Sequence, residues 1–145
     1  MSEGREEVMF SRLLVPVDLS HLDRLEKVLH VAADLARHYH LPVVYAGVSG
    51  TVPDAVARSP REFADKLTGF AKAQAETHGI EATAHALSSP DPQAELDKLL
   101  RKAVETLGAD LVVMASHAPG WLDWLLPSHG GSLAEHSEAS VFVVR

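Results

Sequence analysis

Leu13-Leu14-Val15-Pro16-Val17-Asp18 and Asp110-Leu111-Val112-Val113-Met114-Ala115-Ser116-His117 are short apolar runs that each stop at a polar residue. A parallel strand reads this way when both its faces are covered and its carboxyl end emerges from a layered core into a ligand crevice. Leu41 to Val48 is a third such run, β-branched and opened by Pro42, a residue tolerated at the first position of a strand. Ile80 to Leu87 alternates weakly and predicts a more polar edge strand, and Val141-Phe142-Val143-Val144 predicts a fifth.

Helical patterns separate these strands. Ser20-His21-Leu22-Asp23 matches a capping box, and Leu25, Val28, Leu29, Ala32, Leu35, Ala36 and Tyr39 follow at helical spacing, predicting a helix from about Ser20 to His40. The stretch Ser49-Gly50-Thr51-Val52-Pro53-Asp54 is turn-rich and opens an irregular connection. Ser59-Pro60-Arg61-Glu62 combines a capping serine, a proline at the first helical position and a reciprocal glutamate, with Gly79 as the stop. Asp91-Pro92 starts a third helix carrying Leu96, Leu99, Leu100, Ala103, Val104 and Leu107, closed by Gly108. A short helical pattern lies around Ser132 to Glu138. Strands alternating with helices predict an open, five-stranded parallel sheet with right-handed crossovers, a three-layer α/β/α sandwich. The expected order is 3-2-1-4-5, which puts strands one and four side by side at the topological switch point and the crevice beside Asp18 and Ser116-His117.

Composition bounds the function. The chain has 145 residues, 46% of them hydrophobic, enough for one domain, residues 1–145, with a sizeable core. A net charge of -7 argues against nucleic-acid and membrane partners, because both would repel the surface before contact. Zero cysteines exclude disulfides, thiolate zinc sites and thiol catalysis. Met1 to Val8 carries Glu3, Glu6 and Glu7 and has the pattern of neither a signal peptide nor a membrane span, so a cytoplasmic protein is expected.

The order and spacing of these motifs resemble the universal stress protein family across essentially the whole chain. Leu13 to Asp18 resembles its first strand with the terminal aspartate, Gly108 to Met114 its entry to strand four, and Ala139 to Arg145 its closing strand. Ser116-His117 stands where members commonly have a serine or threonine followed by histidine. The resemblance implies a Rossmann-like fold and dimerisation through the last strand. It also implies, in many members, ATP binding by a glycine signature: Gly, two residues, Gly, nine residues, Gly, then Ser or Thr. Only glycine lets backbone N–H groups approach phosphate oxygens through turns of positive φ. Here Ala115 and Ala118 occupy the first two glycine positions. Counting forward nine residues lands on Ser128-His129, and anchoring on the closing strand lands on Pro127-Ser128, so Pro127 or Ser128 replaces the third.

By resemblance, the nucleotide-binding candidates are Pro16, Val17, Asp18, Val48, Met114, Ala115, Ser116, His117, Ala118, Pro127, Ser128 and His129. Val48 falls where a hydrophobic residue contacts adenine, and Asp18 where the carboxylate lies near adenosine or a metal. The base side of a pocket is thus present by resemblance, while the phosphate side departs from the family pattern. The implied ligands are ATP or AMP, with magnesium, and the implied partners are a second copy of the chain and a regulatory protein.

Plainer roles stand beside these. Asp18 could equally cap the turn next to Ser20, His117 satisfy loop carbonyls, and Ser128 and His129 form a solvated helix start where an anion would otherwise be favoured. Nine histidines, with His38 and His40 close together and His30, His78, His85 and His136 dispersed, show no metal-ligand spacing on one helical face. No Gly-x-Ser-x-Gly elbow and no Walker lysine loop occurs. A binding role rather than turnover is therefore expected. The alternatives are a member that has lost nucleotide and acts as a protein-interaction module, as in transport regulation, or a weak ATP hydrolase with magnesium on Asp18. Trp121 and Trp124 fall in the loop over the expected pocket, where leucines Leu122, Leu125 and Leu126 suit packing and one tryptophan an interface. Val141, Phe142, Val143 and Val144 form an apolar, uncharged edge that invites two-fold pairing with a second copy.

Overall fold

A computed structural model of the chain describes residues 9–116 and 137–145. Its strands are β1 (Leu13–Pro16), β2 (Val43–Ser49), β3 (Ala82–Ser88), β4 (Leu111–Ala115) and β5 (Ser140–Val144). Its helices are α1 (Glu26–Tyr39), α2 (Pro60–His78) and α3 (Pro92–Leu107). The sheet order is β3-β2-β1-β4-β5 and every pairing is parallel, the expected arrangement. His117 to His136, including Trp121, Trp124 and most of the expected short helix, lie outside the described residues.

Burial follows position in the sheet. All residues of β1 and β2 and the first four of β4 are buried, as central strands with two covered faces must be, whereas β3 and β5 are partly exposed. Right-handed crossovers place α1 and α2 on one face of the sheet and α3 on the other. The first pair is adjacent: Arg37 Nη1 on α1 donates to the His78 carbonyl on α2 at 2.7 Å. On that face of β2, Tyr45 meets the Phe70 ring of α2 edge-on at 5.2 Å. Leu67, Leu96, Leu100 and Tyr45 are among the fully buried side chains of the core. Among the described residues, no helix is long and apolar enough to cross a membrane.

The start of the first helical segment differs from expectation. Asp18, not Ser20, is the cap: its Oδ1 accepts from the Ser20 backbone N–H at 3.0 Å and from the Ser20 hydroxyl at 2.6 Å. A carboxylate two residues upstream captures the serine that would otherwise cap the helix itself. The chain then runs as a 3-10 segment, Leu19–Leu25, with His21 at non-helical φ −138° and ψ 39°, and α1 begins only at Glu26.

The other caps are as read. Ser59 Oγ accepts from Glu62 N–H at 3.1 Å, while the glutamate reaches back to Arg58 N–H at 2.6 Å. Asp91 caps α3, and Gly79 and Gly108 take left-handed conformations after α2 and α3. His40 fills the same position after α1 with φ 58°.

Strands β2 and β3 start two residues later than expected. Leu41 and Ile80 N–H donate to Ala36 and Ala75 carbonyls, 2.8 and 3.2 Å away, finishing the preceding helices before the strands begin. At the opposite sheet end, Asp110 accepts from Ser11 and Arg12 backbone N–H groups at 2.9–3.1 Å, fastening the entry of β1 to that of β4.

Candidate functional site

The register locates the opening in the sheet. β1 pairs with β2 through Pro16↔Ala46, but its pairing with β4 ends at Leu14↔Val112. The two strands part before β1 ends, at the point where crossovers reverse direction and ligands of open α/β sheets bind. Asp18 follows immediately. It is 5% exposed, and its second oxygen, Oδ2, lies 3.1 Å from His21 Nδ1, which is also 3.0 Å from Ser20 Oγ. Serine, histidine and aspartate thus meet, but one imidazole nitrogen faces both partners. A catalytic relay needs the two ring nitrogens to serve different partners, so this cluster is a capping knot.

A cavity of about 290 Å³ opens beside it at the carboxyl ends of β1 and β2, on the other side of β1 from the expected crevice between β1 and β4, and no residue of β4 lines it. Its floor is Val48, Ser49 and Gly50 at the end of β2, one wall is Asp18, Leu19 and Ser20, and the other is Asp54, Ala55 and Val56 of the following loop, with Phe63 and Pro92 at the helix starts. The loop is held by Asp54, whose Oδ1 accepts from Val56 and Ala57 N–H groups at 2.9 Å. Apolar side chains of Leu19, Val48, Val56, Phe63 and Pro92 line it together with two carboxylates, the buried Asp18 and the exposed Asp54.

Two larger hollows lie elsewhere. One, about 450 Å³, is lined by Arg101, Glu105, Asp110 and Glu138 at the amino ends of β4 and β5, and the other, about 400 Å³, by Arg37, His40 and Glu81 behind the carboxyl ends of α1 and α2. Both are remote from the carboxyl ends of the central strands, where this architecture places its ligands.

Of the sequence candidates, Asp18 and Val48 line the 290 Å³ cavity together. Pro16 and Val17 are buried just below, with Val17 N–H donating to the Ala46 carbonyl at 2.8 Å. Met114 is buried in β4, and Ala115 and Ser116 are half-buried beyond it, with Ser116 N–H on the Val144 carbonyl at 2.7 Å. These five do not line the cavity. His117, Ala118, Pro127, Ser128 and His129 lie outside the described residues. Ser49, Asp54, Phe63 and Pro92 also line the cavity, although no sequence motif marks them as site residues. Asp54 and Pro92 fall in turn signals, and Phe63 reads as helix core, so nothing local marks their convergence.

Magnesium does not fit Asp18 as it stands. One carboxylate oxygen takes two donors from Ser20 and the other faces His21, and among the described residues no three histidine, aspartate or glutamate side chains form a group able to hold a metal. Away from the site, two histidines that looked dispersed come together: the His30 and His78 rings meet edge-on at 5.1 Å between α1 and α2. Burial foremost, then the His30 and Arg37 charges, lowers the His78 pKa, with Asp34 opposing.

The structure is similar to that of a universal stress protein family member from Burkholderia pseudomallei, with TM-score 0.67 and 21% identity, over 94% of this chain and 96% of that one. It is also similar to the universal stress protein from Archaeoglobus fulgidus in complex with dAMP, with TM-score 0.62 and 18% identity, over 94% and 99% of the chains. A universal stress protein family protein from Arabidopsis thaliana with AMP bound gives TM-score 0.54 and 16% identity, over 92% and 90%. These likenesses carry the fold. The sequence model of the universal stress protein family matches residues 9–145, and with nearly the whole chain so matched, the protein belongs to the universal stress protein family.

Proposed function

We propose that this protein is a single-domain, homodimeric binding protein of stress response or regulation that takes an adenine nucleotide or nucleoside in the crevice at the carboxyl ends of β1 and β2. The observation that carries the reading is the 290 Å³ cavity with Val48 in its floor and Asp18 in its wall. A planar apolar base needs a hydrophobic slot with a few placed polar groups, and this cavity offers that combination. Structural relatives with dAMP and AMP bound support the same ligand class. Binding without turnover suits a site whose serine, histidine and aspartate are arranged as a cap.

The dimer rests on β5. Phe142 and Val143 are 45% and 42% exposed on an edge strand, large apolar side chains beside unpaired backbone groups. A second copy aligned by a two-fold axis satisfies both at once.

One set of samples tests both parts: thermal melts with adenosine, AMP, ADP and ATP, run beside light scattering. A ligand at 100 times its dissociation constant adds about 2.7 kcal/mol, which at ~2.1 cal/mol/K per residue raises the melting temperature of this chain by roughly 9 °C. Ala55→Trp, which fills the cavity from its exposed rim, removes the shift. No shift with any of the four compounds refutes the nucleotide reading, and a monomeric mass refutes the dimer.

A further inference from the structure

We propose that His30 and His78 form a second binding site, one for a borderline divalent transition-metal ion such as zinc, which clamps α1 to α2. The pair shares no residue with the crevice and stands independently of the nucleotide reading. The spacing of the rings, the state of the ligand atoms and the surrounding charge carry it.

The two rings approach from different helices, with centroids 5.1 Å apart and planes at 84°. An imidazole nitrogen binds zinc at about 2.0–2.1 Å, and the ring centroid lies about 1.1 Å beyond that nitrogen, so two imidazoles sharing one tetrahedral zinc hold their centroids about 5.2 Å apart. The observed separation matches that of a shared ion. Each lone pair lies in the plane of its own ring, so perpendicular rings can aim at one point. His30 is exposed and His78 half-buried, which lets an ion enter from solvent. Burial foremost, then the His30 and Arg37 charges, lowers the His78 pKa and keeps that ring in the neutral form a metal requires.

Asp34 is one turn on from His30 on the same face of α1, and its negative charge is felt at His78. Arg37 brings the opposite charge, but its Nη2 is paired with the Asp34 carboxylate and its Nη1 with the His78 carbonyl, so the two charges offset each other beside the rings. Lys27, one turn before His30, reaches away to the Arg145 carbonyl at 2.7 Å. The local balance therefore does not bar a cation, and the chain as a whole, at net charge -7, attracts one. Among the described residues no third histidine, aspartate or glutamate completes a closed set. Water fills the remaining positions, which makes this an exchangeable site rather than a structural one.

The test is isothermal titration of the whole, tag-free chain with zinc, copper(II) and magnesium salts at neutral pH and low ionic strength. Copper(II) is expected to bind more tightly than zinc and magnesium not at all, and the electron paramagnetic resonance spectrum of the copper-loaded chain shows two nitrogen ligands. His30→Asn and His78→Asn each weaken zinc binding by about tenfold or more, since even partners outside the ligand shell are worth that much, while His38→Asn leaves it unchanged. Asp34→Asn, which leaves Arg37 uncompensated, weakens it by about three- to tenfold at low salt. Circular dichroism of the metal-free variants separates loss of a ligand from loss of fold. Failure of the wild type to bind either zinc or copper(II), or zinc binding undiminished in the double variant His30→Asn, His78→Asn, overturns the proposal.

Discussion

Replacing Gly47 with alanine probes how tightly α2 is pressed onto β2. A Cβ built at Gly47 would stand 2.9 Å from Phe63 Cζ, 3.3 Å from Phe63 Cε2 and 3.4 Å from Leu67 Cδ2. Carbon atoms prefer about 3.5–4.0 Å, so the Phe63 ring has to move by more than half an ångström. Two effects oppose each other. Alanine is favoured over glycine in a strand by roughly 0.5–1 kcal/mol, whereas an extra methyl in a packed core costs about 1–3 kcal/mol. Phe63 is 5% exposed and Leu67 wholly buried, so neither has free space on the core side and the packing cost wins. The expected net loss is about 0.5–2 kcal/mol, a fall in melting temperature of roughly 2–7 °C at ~2.1 cal/mol/K per residue. Urea denaturation followed by circular dichroism measures it, with an unchanged slope showing that stability and not compactness has altered. Phe63→Leu shortens the obstructing ring, so the double variant is more stable than the two single losses predict, by more than the ~0.3–0.5 kcal/mol within which independent sites add. A Gly47→Ala protein as stable as the wild type, or a cycle without coupling, refutes the reasoning.

Tyr45 is wholly buried, its hydroxyl has no partner, and burial pushes its phenol up to about 12. Tyr45→Phe is therefore expected to stabilise the fold by about 1 kcal/mol at neutral pH in the same denaturation assay. It also flattens the alkaline limb: the unfolded phenol releases its proton near its ordinary value of 10 and the folded one near 12, so the wild type loses stability as pH rises through that window. His78 has the opposite sign. Its pKa lies below the ordinary 6.5, chiefly through desolvation and then through His30 and Arg37, so the unfolded chain takes up the proton first and stability falls as pH drops below 6.5. His78→Gln is expected to lessen that fall in melts from pH 7.5 to 5, and an unchanged acid limb contradicts the assignment.

The sheet was legible because each of its signals is local. Leu13 to Val17 and Leu111 to Met114 are apolar on successive residues, as only strands covered on both faces need to be, and Ser59-Pro60, Asp91-Pro92, Gly79 and Gly108 punctuate the helices between them. Where two local signals compete, the sequence alone does not rank them. Asp18 and Ser20 are both good caps, and only the structure reveals that the first binds the second. Leu41 and Ile80 look like strand residues because they are apolar, yet their N–H groups belong to the helices behind them. In the site, Asp18 could be picked out because it is the polar residue at which the first apolar run stops, and Val48 through the family resemblance. Asp54, Phe63 and Pro92 reach the same cavity from a loop and two helix starts, a meeting fixed by tertiary packing.

The double employment of Asp18 bears on how such chains are inherited. Its carboxylate starts the first helical segment by holding Ser20 and His21 while it also forms a wall of the crevice. A lineage that ceased to use the crevice would still gain about 0.5–2 kcal/mol of stability from the aspartate as a cap. The residue is therefore a poor marker of retained ligand binding when members of this family are compared, and a lining residue with no capping duty, such as Ala55 or Val56, records the history of the pocket more faithfully.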